Sequence, residues 1–244
     1  MENFHEYKLT MDSSPLARQA RAKNSLEGLS VGDAFGQGFF MSLELAARLM
    51  GSEEFGKPPY DFQDDFILRE FVGTRITSLI VSPWRWTDDT ALAIEIVRNL
   101  TRFDAIEPQA LATGFCRRYL SDPQRGYGGA MHDLLPQLRF GDWESRAGAL
   151  FNGTGSFGNG AAMRSAPIGA YFADSPSDAA RHAANASKVT HSHLEGVAGG
   201  VAIAMAACFA ADTAINGAEL IERVIPFVSE GEVRKGLLNA QQMS

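Results

Sequence analysis

Apolar residues recur at helical spacing through most of the chain. From Asp88 onward Leu92, Ile96, Val97 and Leu100 share one face, the i, i+4, i+5, i+8 pattern of an amphipathic helix. Alanines and leucines predict another helix over residues 16–31, ending near Gly32, and residues 42–50 (SLELAARLM) carry a shorter version. Further helices are expected over 108–119, 129–138, 161–172, 176–189, 194–211, 217–228 and 232–241, joined by short connections. The one β-branched run, residues 72–81 (VGTRITSLIV), has no partner of similar quality, so any sheet is minimal. The Gly/Pro/Asp-rich stretch 51–65 reads as an exposed loop. No period repeats and no Pro/Ser/Gly linker divides the chain. The pattern predicts an all-α fold, a compact orthogonal helical bundle, with residues 1–15 as a flexible N-terminus and 16–244 as one helical domain.

Composition narrows the functional classes. Of 244 residues, 45% are hydrophobic and 21% charged, which is ordinary globular usage. Twenty-two basic residues against twenty-nine acidic ones give a net charge of −7. No Lys/Arg run is present to track a phosphate backbone, so nucleic acid is not an expected partner. The longest nearly unbroken apolar stretch, residues 197–211, is shorter than the roughly 20 residues a bilayer requires, so no membrane span is expected. The opening MENFHEYKLTMD lacks the apolar core of a signal peptide, and a cytoplasmic location is expected. Cys116 and Cys208, far apart in helical patterns, read as free buried thiols and exclude zinc bound by cysteine. Glycine is in excess, 24 residues, and it clusters beside Asp, Asn and His.

Four glycine- or hydroxyl-rich segments carry the candidate chemistry. Trp86-Thr87-Asp88-Asp89-Thr90 opens the helix after Asp88. Thr87 or Asp88 reads as its N-cap, with Asp89 at the positive end of the helix dipole. The same oxygens also read as half of a hard-cation site, because Mg²⁺ takes six oxygen ligands. Gly153 to Arg164 (GTGSFGNGAAMR) places four glycines around Ser156, Phe157 and Asn159 just before a helix. It is either a plain turn or a nest of backbone N–H groups for a phosphate. Its spacing is neither that of a Walker loop nor that of the dinucleotide fingerprint. In Thr190-His191-Ser192-His193 the two histidines point in different directions, which disfavours a paired metal site; a single loop histidine here more often caps a helix or contacts substrate than ligates a metal. His132 and His182 read as helix-surface residues. Gly32-Asp33, within LEGLSVGDAFGQGFF, reads as a C-cap turn.

The ordered set GLSVGDAFG, WTDDT, GSFGNGAAMR and VTHSH resembles the ADP-ribosylglycohydrolase family over roughly residues 22 to 211. The resemblance implies an all-α bundle around a centre of two Mg²⁺ or Mn²⁺ ions that hydrolyses the glycosidic bond between ADP-ribose and an acceptor. Thr87, Asp88 and Asp89 match the family's metal-binding motif, with Asp88 and Asp89 also serving catalysis. Gly155, Ser156, Phe157, Gly158, Asn159 and Gly160 match its phosphate and ribose loop, and His191 matches a substrate-contacting histidine. The implied partner is an ADP-ribose-bearing substrate, taken up by a monomer. Two positions depart from the pattern. A metal-associated glutamate expected eight residues after Gly32 falls on Phe40, with Glu44 one turn later as its possible replacement. The family's C-terminal Gly-Gly-Asp-Thr-Asp-Thr-like segment has no counterpart before Ser244, Asp212-Thr213 being the nearest echo. Half of the metal site is thus expected to be missing. The rival expectation is a member that binds ADP-ribose, or serves structurally, without turnover.

Overall fold

The computed structural model describes residues 11–37 and 84–243 of the chain. Every regular element among them is helical. In order these are α1 (Pro15–Gln37), α2 (Asp88–Phe103), α3 (Pro108–Ser121), α4 (Gly129–Gln137), α5 (Trp143–Gly153), α6 (Ala166–Tyr171), α7 (Pro176–Lys188), α8 (Leu194–Phe209), α9 (Gly217–Val224) and α10 (Glu232–Met243). Short 3₁₀ turns follow α4 (Leu138–Phe140), precede α6 (Ala162–Arg164) and follow α9 (Ile225–Phe227). The expected elements at 42–50, 51–65 and 72–81 lie outside the described residues, as do Phe40, Glu44 and residues 1–10 of the N-terminus. None of the described helices is long and apolar enough to cross a membrane.

The predicted stripe of α2 forms the centre of the core. Leu92, Ile96 and Leu100 are fully buried against Leu111 and Phe115 of α3 and Ile168 of α6, while Val97 packs at the edge. Each such side chain contributes about 1.5–3 kcal/mol by leaving water. The α2 helix ends where Asp104 turns into the left-handed region (φ 54°) and returns its N–H to the carbonyl of Leu100. The apolar α8 lies deep in the bundle between α6 and α7. A Cβ on Gly169 of α6 would come within 1.7 Å of the Ala204 carbonyl oxygen, so glycine alone permits this crossing. At the far end of α6, Arg21 of α1 donates to the carbonyls of Ala170 and Tyr171 and, with Arg18, to Asp174. These cations complement the negative end of the short helix.

Four expectations need correction. The α1 helix does not stop near Gly32 but runs on to Gln37, because Asp33 in its last turns is held by α2. The helix expected over 161–172 is broken into a 3₁₀ turn and α6, with Arg164 turned into the interior. The α5 helix was not expected. It buries only Ala147, so it carries no apolar stripe, and its backbone leaves helical geometry at Leu150, Phe151 and Asn152. His182 is not a surface residue. It is buried, stacks on Phe172 at 4.5 Å between ring centres, and accepts the Ile106 N–H through Nδ1. His132 is exposed as expected, with Nδ1 2.8 Å from the Tyr119 hydroxyl. Both cysteines are free and buried.

Candidate active site

The first wall of the site is built by Asp33 reaching from α1 to the start of α2. Its Oδ2 accepts from the N–H groups of Thr87 (2.7 Å) and Thr90 (3.2 Å) and from the Thr90 hydroxyl (2.6 Å). Its Oδ1 accepts from the Thr87 hydroxyl at 2.7 Å. The first turn of a helix has N–H groups without internal partners. Thr87 occupies the N-cap position, but its side chain makes no capping bond, and Asp33 satisfies the Thr90 N–H in its place. Gly32-Asp33 is therefore not a C-cap turn; the aspartate caps another helix.

This borrowed cap leaves Asp88 and Asp89 free of capping duty. Asp88 is 9% exposed, and its carboxyl is pushed up to about 6, first by burial and then by the neighbouring charges of Asp89 and Asp33. Asp89 is raised as well, by burial and by Asp33. The approach to the helix is pinned by Arg125, which lies 3.7 Å over the Trp86 ring and donates to the Trp86 carbonyl. The Arg125 carbonyl in turn accepts the Asp88 N–H at 2.8 Å.

The second wall is the glycine-rich loop with His191. Gly155 (φ 76°) donates to the Leu150 carbonyl, and the buried Ser156 accepts the Gly158 N–H through Oγ at 3.3 Å. The Asn159 carbonyl accepts from Met163 at the start of the next turn. The loop lies directly on His191, for a Cβ on Gly160 would come 2.5 Å from Cε1 and 2.7 Å from Nε2 of the imidazole. His191 is buried, with Nδ1 2.8 Å from the Thr190 hydroxyl. Burial and the nearby Arg164 charge push it down to about 3, so the ring is neutral at physiological pH. His193 faces elsewhere and caps α8 by accepting the Glu195 N–H. Of the roles left open by the sequence, His193 thus takes the capping one.

The walls enclose a cavity of about 760 Å³, within the usual range for small-ligand sites. Thr87, Asp88, Asp89 and Asp33 line one side, while Ser156, Gly158, Asn159 and Gly160 line the other with His191. Of the residues expected from the sequence, Gly155 and Phe157 do not line it. Phe157 is exposed beside Phe151 and His193. Asp33, Phe151 and Arg164 line the cavity without having been expected. Asp33 and Arg164 stand inside the quoted motifs GLSVGDAFG and GSFGNGAAMR, and that placement is the signal that marks them.

Three neighbouring carboxylates, two of which, Asp88 and Asp89, have their proton affinity raised by burial and by the charges beside them, have the hard-oxygen chemistry a divalent cation requires. Among the described residues no group of three or more His, Cys, Asp or Glu side chains is placed to hold a metal ion.

The sequence matches the ADP-ribosylglycohydrolase family over residues 14–244. The chain belongs to that family. Among curated relatives, the ADP-ribosylhydrolase ARH3 of Xenopus tropicalis is 28% identical over 219 residues, covering 88% of this chain and 57% of the relative. The ARH3 of Bos taurus is 32% identical over 164 residues, 65% of this chain and 44% of the relative. The human ARH3 is 36% identical over 124 residues, 50% of this chain and 34% of the relative. The chain spans about half the length of the first of these. As a member of the ADP-ribosylglycohydrolase family it has the all-α architecture that the resemblance implied.

Proposed function

We propose that this chain is a metal-dependent hydrolase that cleaves the glycosidic bond between ADP-ribose and a modified acceptor, either a protein side chain or a small ADP-ribosyl conjugate. One observation carries the reading. An acidic corner, Asp33, Asp88 and Asp89, whose one nearby cation is the buried Arg164, faces a glycine-rich loop across one cavity. Anionic and polyhydroxyl parts of one ligand suit the loop, while the reacting centre suits the acids. The names of the relatives, ADP-ribosylhydrolases, agree with it.

Glycoside cleavage passes through an oxocarbenium-like centre that negative charge stabilises, and a water must lose a proton as it attacks. Asp88 and Asp89 supply the charge, and a carboxylate oxygen of either accepts that proton. Of the loop Gly155 to Gly160, the backbone N–H groups of Asn159 and Gly160, which line the cavity, suit the diphosphate, and His191 contacts the substrate as a neutral group. Thr87, Asp88 and Asp89 would hold Mg²⁺ or Mn²⁺, which orients ribose hydroxyls and acidifies water when bound. The protein acts in this reading as a cytoplasmic monomer.

A second reading has its own support, since the described residues do not complete a metal site. In it the protein binds ADP-ribose without turnover. Release of ADP-ribose from substrates modified on arginine or serine, in Mg²⁺, tests both. Wild type is expected to release it and the Asp88→Ala, Asp89→Ala double variant is not. Equal rates in the two proteins would sink the hydrolase assignment, and tight binding without release would favour the binding module.

A further inference from the structure

Arg164 is fully buried, and its guanidinium meets no carboxylate in hydrogen-bond contact. It lies over the Phe115 ring at 4.5 Å, and neither Nε nor Nη1 has a hydrogen-bond partner. Burying a charge on these terms is costly, and an apolar side chain of similar length would fill the space at less cost. Its close polar contact is Nη2 to the Thr190 hydroxyl oxygen, at 2.7 Å, with the Ala186 carbonyl further away at 3.4 Å.

That contact determines where a proton sits. A guanidinium has only donors, so the Thr190 oxygen accepts from Arg164. Thr190 is itself wholly buried, and its oxygen has one other neighbour, Nδ1 of His191 at 2.8 Å. The hydroxyl hydrogen therefore points at Nδ1, because no other acceptor is within reach. A ring nitrogen that accepts carries no hydrogen, so the neutral imidazole holds its hydrogen on Nε2. Nε2 lies on the cavity side, against the loop at Gly158 and Gly160.

We propose that Arg164 and Thr190 are positioning residues that lock His191 as a neutral Nε2–H donor, aimed at an acceptor oxygen of the ligand in the cavity. The lock rests on the ADP-ribose reading only for the identity of that ligand, whose phosphate and hydroxyl oxygens are the acceptors concerned. It gives the buried guanidinium a role beside its through-space attraction to Asp88, since a partner at 164 able to accept a hydrogen bond would let the Thr190 hydroxyl turn.

Nitrogen-15 NMR of histidine-labelled protein tests it without requiring activity. The His191 signals are identified by their loss in His191→Gln. The expected spectrum shows pyrrole-type Nε2 and pyridine-type Nδ1 in the ligand-free wild type, unchanged between about pH 5 and pH 8. Thr190→Val is expected to mix the tautomers and weaken ADP-ribose binding about tenfold, the scale of one lost hydrogen bond. Thr190→Ser is expected to restore both, and Arg164→Met to mix the tautomers with Thr190 intact. A pyrrole-type Nδ1 in wild type, or an unchanged tautomer in Thr190→Val, would overturn the lock. The predicted tautomer in a wild type that does not bind ADP-ribose would uphold the lock and reject the ligand.

Discussion

Asp88→Asn is expected to stabilise the metal-free protein. The carboxyl is 9% exposed and close enough to Asp89 and Asp33 to feel both charges, and its proton affinity rises from the ordinary 3.8 to about 6. An acid whose folded-state value is raised favours folding in its protonated form. Its contribution is fully present below about pH 3.8 and is lost as the pH rises through about 6. The difference is about two units, and at about 1.4 kcal/mol per unit the ionised group costs the folded state up to about 3 kcal/mol near neutral pH. The amide removes that charge while keeping the size, so a gain of about 1–3 kcal/mol is expected after allowing for its own imperfect hydrogen bonding. Urea denaturation with a chelator present, near pH 4 and again near pH 7.5, reads it directly. The gain should be large at the higher pH and small at the lower. Adding Mg²⁺ should then stabilise wild type and leave the variant unmoved. A variant less stable than wild type near pH 7.5 in chelator would refute the reasoning, because it would mean that the attraction of ionised Asp88 to Arg164 outweighs burial and the two like charges.

Asp33→Ala removes the acceptor of four hydrogen bonds from Thr87 and Thr90 and is expected to cost about 2–3 kcal/mol, with hydrogen exchange at the Thr90 amide accelerating first. Gly169→Ala drives a methyl into the Ala204 carbonyl and should lower the melting temperature by at least several degrees, about 3 kcal/mol or more. Gly148→Ala in α5, where a Cβ meets nothing within 4 Å, is the control and should be neutral or stabilising by up to about 1 kcal/mol. His191, a base held at about 3, favours folding above its ordinary value of 6.5, and that contribution is lost as the pH falls toward 3. His191→Gln should flatten the acid limb of a stability–pH profile below about pH 6.5, and an unchanged limb would show that the imidazole is not buried as described.

Much of the fold could be read from local pattern, and the failures have a common physical origin. The α2 stripe and the apolar α8 were visible because burial repeats at helical period in both. The end of α1 was misplaced because its last turns depend on Thr87 and Thr90, more than fifty positions away, and no local signal at Gly32 reports them. The α5 helix escaped because one buried alanine makes no stripe. His182 and Arg164 were misjudged or passed over for one reason, that a polar residue in a helix is ordinarily solvent-facing. In both cases a tertiary partner reverses the rule, Phe172 and the Ile106 N–H for His182, Phe115 and Thr190 for Arg164. In the site, the oxygens of Thr87 to Asp89 and the loop around Ser156 to Gly160 stood out because their density exceeds what a cap or a turn requires. Asp33 did not stand out, since a glycine–aspartate pair has a sufficient explanation as a helix end.

The claim that the acidic corner and the glycine-rich loop form one ADP-ribose and cation site is tested most directly by calorimetric titration of ADP-ribose into the wild-type protein, with Mg²⁺ and with a chelator. Saturable binding that is tighter in Mg²⁺, and that loses its metal dependence in the Asp88→Ala, Asp89→Ala variant, is the predicted result. Absence of binding, or binding indifferent to both the metal and the two aspartates, would contradict the account.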